Sequence, residues 1–236
     1  MSRFTTALAA AATPIVAEIK PTDGAGADLL RGRTPAQVLT DYHDAGVACV
    51  SVVTGRWFGG TRELLRDVAA RTSLPVLQKD FVIREAQVRA ARELGASAVL
   101  LTAQLLPAAA LHHLVEHALS LGLTPFVEVT TAAEIAAVPH AADCVVAVNN
   151  KNIRTREQDG ADLGRSLRLL PAVLASGTGF PVSASGIDEP REAAELLAAG
   201  YAGLLVGTAL LHAASPRAWV DELSRHRLEE GRHARQ

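Results

Sequence analysis

The chain has 236 residues, 49% hydrophobic and 20% charged, with a formal net charge of −2. That length suits one large domain or two small ones, and the hydrophobic share supports a sizeable core. Both signs are mixed without a basic stripe, no apolar run nears the roughly 20 residues that span a bilayer, and two cysteines make no disulfide framework, so nucleic-acid binding, a membrane span and a disulfide-stapled scaffold are disfavoured.

The N-terminus "MSRFTTALAAAATPIVAEIK" imitates a signal peptide, with Arg3 ahead of an alanine-rich stretch. Threonines interrupt its apolar part, and cleavage after Ala12 would fall just before "PIVAEI" (14–19), which has the composition of a strand. Export is therefore disfavoured and a cytoplasmic location is expected. "TPAQVLTDYHDAG" follows as a helix, with Thr34 as N-cap, Pro35 at the first helical position and Gly46 as its stop. "ACVSVV" (48–53) and "LPVLQ" (74–78) read as the second and third strands. "REAQVRAARELGA" reads as a helix ending at Gly95, before the strand "SAVLLT" (97–102).

"LPAAALHHLVEHALSLG" is a helix ending at Gly122, before the strand "TPFVEV" (124–129). Its His113 and His117 have metal-pair spacing, but Leu114 stands where a zinc-protease helix carries glutamate, so no metal site is expected there. "CVVAVN" (144–149) and "FPVSAS" (180–185) are the next strands, and "SGTGFP" (176–181) is a turn leading into the latter. "DEPREAAELLAAG" is a helix with Asp188 as candidate cap, Pro190 just inside and Gly200 as stop, followed by the strand "AGLLVG" (202–207). The tail "LSRHRLEEGRHARQ" reads as a solvated, fraying helix end. Cys49 and Cys144 lie inside strand-like runs, so both are expected to be reduced and buried.

Eight β-branched runs alternating with helical segments imply a parallel sheet with helices outside. Residues 1–236 match a single (β/α)8 barrel domain, which typically needs about 250 residues. An open doubly wound sheet is the runner-up, disfavoured because no Gly-rich dinucleotide loop follows the first strand. In the barrel, chemistry belongs at the C-terminal ends of the strands. Glu18 and Lys20 stand there on strand 1, Lys79 and Asp80 on strand 3, Glu128 on strand 5, and Asn149, Asn150 and Lys151 on strand 6. Charged groups are costly to bury unless paired, so two lysines and two glutamates at one mouth point to acid–base work on a substrate. The loops "SASGIDEP" and "LLVGTALL" place Ser185, Gly186, Gly207 and Thr208 where bare backbone N–H groups can face an anion, and this fold often holds phosphate there. A phosphorylated small molecule is the expected partner; no cofactor or metal is expected, and the sequence gives no oligomeric state.

The stretches "VAEIK" (16–20), "VSVVTGRWFGGTRELL" (50–65), "LPVLQKDFVIREAQVRAARELGASAVLL" (74–101), "FVEV" (126–129), "AVNNKNI" (147–153), "SGI" (185–187) and "LLVGTALL" (204–211) resemble, in order, those of indole-3-glycerol phosphate synthase. That family of tryptophan biosynthesis closes a pyrrole ring on 1-(2-carboxyphenylamino)-1-deoxyribulose 5-phosphate with loss of CO2 and water. The resemblance implies Lys79 as general acid, Glu128 as general base, and Glu18 and Lys20 as the pair that binds substrate and orients the acid. It implies Asn149 in the dehydration network, Phe58 and Phe81 along the anthranilate pocket, and Ser185, Gly186, Gly207 and Thr208 around the phosphate. Four departures stand beside it. Most of the usual N-terminal helical extension is lacking, Asp23 stands where a substrate-contacting serine is expected, Lys151 replaces an arginine, and Ala184 replaces a glutamate. The alternatives are a diverged barrel enzyme on a related amino-sugar phosphate or arylamine–sugar adduct, working as an Amadori-type isomerase or a Schiff-base lyase, and a non-catalytic binding barrel.

Overall fold

The computed structural model describes residues 1–151 and 160–233. Eight parallel strands close into one barrel in sequence order: β1 (Ile15–Ile19), β2 (Cys49–Val53), β3 (Val76–Lys79), β4 (Ala98–Thr102), β5 (Thr124–Val129), β6 (Val145–Asn149), β7 (Phe180–Ala184) and β8 (Gly203–Val206). β1 pairs with both β2 and β8, which excludes the open doubly wound sheet. Every strand begins and ends within two residues of its predicted run.

The helices are α1 (Arg3–Ala10), α2 (Pro35–Ala45), α3 (Arg62–Arg71), α4 (Glu85–Glu93), α5 (Ala108–Ser120), α6 (Ala132–Ala136), α7 (Leu163–Ala175), α8 (Pro190–Ala199), α9 (Thr208–His212) and α10 (Pro216–His233). The cap signals of α2 hold: the Thr34 side chain accepts from the Gln37 N–H, and Gly46 takes the left-handed conformation that closes the helix. Asp188 does not cap α8. Glu189 takes that position, because Glu192 reaches back and its Oε2 accepts from the N–H groups of both Asp188 and Glu189 at 3.1 and 3.0 Å. The 176–181 segment is the expected turn, closed by Thr178 Oγ1, which donates to the Cys144 carbonyl and accepts from the Phe180 N–H. The charged tail continues α10 to His233, and its last three residues lie outside the described ones.

Strand parity organises the core. Ile15, Ala17, Ile19, Val50, Val52, Val99, Leu101, Val127 and Val129 face outward, into one apolar cluster with helix residues such as Val38, Leu65, Val88 and Leu111. The alternate residues Val16, Cys49, Leu77, Leu100, Phe126, Ala147, Val182 and Leu205 fill the barrel interior. The N-terminal segment that imitates a signal peptide is α1, a plug under the barrel floor. Phe4 and Leu8 are fully buried in the interior cluster, and the Phe4 ring meets Phe126 edge-on at 6.2 Å between centroids. Cys49 and Cys144 are free and buried, and burial pushes each thiol up to about 12. Among the described residues, no helix is long and apolar enough to cross a membrane.

Phe4→Ala should lower unfolding stability by about 3 kcal/mol, because it opens a cavity in a closed interior. Urea denaturation checks this; Trp57→Ala, at a side chain 60% exposed, is the comparison and should stay within about 0.5 kcal/mol.

Candidate active site

The parity that turns Val16 inward turns Glu18 and Lys20 inward above it, and the same rule points Lys79, Glu128 and Asn149 into the mouth from β3, β5 and β6. The sequence therefore brings these five side chains to one end of one barrel. Glu18 is 2% exposed and stands between the two lysines, with Oε1 at 3.5 Å from Lys20 Nζ and Oε2 at 3.2 Å from Lys79 Nζ. Lys20 also lies over the Phe58 ring, 5.3 Å from its centroid. On the far side of β1, the Tyr42 hydroxyl donates to the Glu18 carbonyl at 2.7 Å, which fixes the strand end. Gly207 makes room for Glu18: a Cβ there would lie 2.6 Å from Glu18 Oε1.

Lys79 separates two spaces. One, of about 360 Å³, is walled by Val53, Phe58, Phe81 and Leu100, with Lys79 and Glu128 as its charged edge. This is an apolar slot of the character that takes an aromatic ring. The other, of about 350 Å³, is lined by Glu18, Lys20, Lys79 and Lys151 together with Ser185, Gly186, Gly207 and Thr208. Ser185 and Gly186 both have φ 69°, two successive left-handed residues that turn their backbone toward this space. Gly186 tolerates no side chain, since an added Cβ would come within 2.0 Å of Ala161 Cβ. Three lysines beside exposed backbone make this half an anion site.

Asn149 is 1% exposed; its Oδ1 accepts from the Lys151 N–H at 2.9 Å, and its Nδ2 has no hydrogen-bond partner among the described residues. Its register partner on β7 is Ala184, whose methyl offers none. A buried donor without an acceptor is costly, so Nδ2 is a ready contact for a bound oxygen. Thr102, the register partner of Glu128, likewise has a buried hydroxyl without a partner.

The Lys79–Asp80 pair divides its labour. Lys79 points inward. Asp80 Oδ2 accepts from the Thr54 hydroxyl at 2.9 Å and Oδ1 from the Phe81 N–H at 2.8 Å, so it ties the loop after β2 to the loop after β3. Gln78, on the outer face, donates to the same Thr54 hydroxyl at 3.0 Å. These bonds tie together the loops that bring Phe58 and Phe81 to one slot. Asn150 does the same for β6 and β7: its Nδ2 lies 3.1 Å from each of Ser183 Oγ, the Ala184 carbonyl and the Ser185 carbonyl, and its Oδ1 accepts from the Ser166 hydroxyl.

All twelve expected site residues lie on this mouth or its walls. Beyond Lys151, the Asn152–Ile153 end of the strand-6 motif lies outside the described residues. Asp23, which stands where a substrate-contacting serine is expected, is turned onto its own loop instead. Its Oδ1 accepts from the N–H groups of Ala27 and Ala25 at 2.9 and 2.8 Å, and these bonds, the Ala27 one foremost, hold the carboxyl below its usual range. The acids that line the anion space are Glu18, held between its two lysines, and Asp188. Trp57 stacks at a tilt on Phe81, 5.8 Å between centroids, and extends the aromatic wall; its neighbour Phe58 in "TGRWFGG" was the only hint of it.

Acid and base groups, an aromatic slot and an anion cradle around the C-terminal ends of barrel strands define a (β/α)8 enzyme for a substrate with an aryl end and an anionic end. The family model for indole-3-glycerol phosphate synthase matches residues 1–223, and the chain belongs to that family. The synthase of Kineococcus radiotolerans is 38% identical over 213 residues, 89% of this chain and 75% of that protein. Those of Aquifex aeolicus and Pyrococcus furiosus are 32% and 35% identical, covering 93% and 86% of this chain and 84% and 88% of theirs. Among solved structures, 3-hexulose-6-phosphate synthase from Salmonella typhimurium shares the fold with a TM-score of 0.70 at 13% identity, over 91% of this chain and 98% of that one.

Gly207→Ala should displace Glu18 from both lysines and cut activity at least about tenfold with far-UV circular dichroism unchanged, as sub-ångström misplacement of a charged group does. Gly179→Ala, at a turn with open space around it and no positive φ, is the comparison and should leave activity intact.

Proposed function

We propose that the protein catalyses its family's ring closure, converting 1-(2-carboxyphenylamino)-1-deoxyribulose 5-phosphate to indole-3-glycerol phosphate, CO2 and water. The observation that carries this reading is the position of Lys79, the one lysine shared by the aromatic slot and the anion space. In the substrate, the ketone lies between the aryl ring and the phosphate. An ammonium at that junction protonates or stabilises the carbonyl oxygen as the ring carbon attacks. Phe58 and Phe81 hold the anthranilate ring, while Ser185, Gly186, Gly207, Thr208 and Lys151 hold the phosphate. Glu18 orients Lys79 and Lys20 and keeps two buried ammoniums compatible. Once CO2 has left, a hydroxyl must depart and a proton must be removed. Glu128 takes the proton, Lys20 stands on the substrate's oxygens, and Asn149 Nδ2 donates to the same network. In this reading the protein serves amino-acid biosynthesis in the cytoplasm.

A second reading rests on Ala184, which leaves the Asn149 amide unanswered. The barrel would then act on a related arylamine–sugar phosphate, as an Amadori-type isomerase or through a Schiff base on Lys20 or Lys79.

Purified protein given the carboxyphenylamino-deoxyribulose phosphate should produce indole fluorescence. Lys79→Ala and Glu128→Gln should each lower kcat by about 10²-fold or more, with the barrel still folded. No turnover at high enzyme concentration removes the first reading; a borohydride-trapped adduct lost in Lys20→Ala or Lys79→Ala would install the second.

A further inference from the structure

We propose that His112, Glu116 and His140 form a site for a borderline divalent transition-metal ion of the zinc class on the outer wall of the barrel, remote from the mouth. One ligand atom from each lies within 4.8 Å of those from the other two. Glu116 holds the centre: its Oε2 is 3.4 Å from His112 Nδ1 and its Oε1 is 3.4 Å from His140 Nε2. Ligands bound at 2.0–2.1 Å around a tetrahedral ion stand about 3.4 Å apart, the distance at which each imidazole meets its own oxygen of the carboxylate, and the three ligand atoms need only draw in from within 4.8 Å of one another. The two imidazole rings stand 5.7 Å apart between centroids and are inclined at 52°.

The chemistry of the set selects the ion. Two imidazoles and one carboxylate suit Zn2+, Ni2+ or Cu2+, whereas Mg2+ and Ca2+ favour all-oxygen sets. All three side chains are about half exposed, so an ion can reach them and solvent can complete its coordination. His112 and Glu116 are one turn apart on α5, and His140 lies in the connection from α6 to β6. A bound ion would therefore join two segments of the helical layer that follow different strands. His140 has φ 48°, a left-handed conformation that few residues adopt, and this swings its ring toward α5. The pair with metal-like spacing in the sequence, His113 and His117, is committed elsewhere. His113 Nε2 meets Glu85 Oε1 at 2.5 Å, and His117 Nε2 lies 3.5 Å from Arg89 Nη1.

The test uses the full chain, freed of metal with a chelator and dialysed, then titrated calorimetrically with Zn2+ and followed in parallel by Co2+ absorbance. One ion per chain is expected, with Zn2+ at a large excess over its dissociation constant raising Tm by roughly 5–10 °C. His140→Asn removes the imidazole with a residue that tolerates φ > 0, and Glu116→Gln keeps the helix intact. Each should weaken binding about tenfold or more, while His113→Ala and His117→Ala leave the stoichiometry unchanged. Absence of stoichiometric Zn2+ binding, or binding indifferent to both His140→Asn and Glu116→Gln, overturns the site and leaves a His–Glu ion-pair cluster only.

Discussion

The structure depends on one buried carboxylate shared by two ammoniums. Glu18 is nearly inaccessible, and both of its oxygens face lysine nitrogens from different parts of the chain. Burying such a triad does not stabilise a fold by itself, because each desolvated ion costs several kcal/mol and pairing returns that only in good geometry. Its presence is accordingly a statement about function. Without the carboxylate, two ammoniums at one barrel mouth would repel each other. With it, both stay in place and keep donors aimed at the cavity. The demand spreads from there: β8 must carry glycine opposite Glu18, β1 must be locked from behind by Tyr42, and β3 must end with its lysine inward.

That arrangement costs no reorganisation when a substrate arrives, which is the condition under which fixed charges act most strongly on a developing oxyanion. The supporting bonds belong to the same argument. Asp80 and Thr54 clamp the loops that carry the aromatic walls, and Asn150 with Ser166 and Ser183 clamps the loops that carry Ser185 and Gly186. Asp80 does so from the wall of the aromatic slot, and Asn150 from the outer face of the barrel. The polar residues of the mouth thus divide into those that parity turns inward, which meet the substrate space, and those that parity turns outward, which hold the loops still.

This division explains what the sequence could and could not disclose. Strand parity is local, so eight strands and the inward set of Glu18, Lys20, Lys79, Glu128 and Asn149 were legible from spacing alone. Gly46, Gly95 and Gly122 were legible as stops because their positive φ is a property of single residues. What failed to show depends on contacts distant in sequence. Nothing local in "SRFTTALAA" says that Phe4 plugs a barrel floor built by residues up to Leu205. Asp188 looks like a cap until Glu192 reaches back past it. His113 and His117 look paired because they share a helix, while the residue that completes the His112 and Glu116 set lies 24 positions beyond Glu116.

The departures from the family pattern fall on one side of the mouth. Lys151 and Ala184 lie at the ends of β6 and β7, both on the side of the anion space. Asp23, the other departure in charge, is neutralised as a perturbation because its own loop supplies the N–H groups that satisfy it. The aromatic slot keeps Phe58, Phe81 and Leu100, and the acid–base set keeps every member. A lysine makes a point-charge contact where an arginine would grip two phosphate oxygens at once, and a methyl beside Asn149 removes a polar contact from the sugar side. The physical weight of these changes therefore rests on how tightly the sugar phosphate is held and on which sugar fits. The charged set of Glu18, Lys20, Lys79 and Glu128 is left as the rest of the fold positions it.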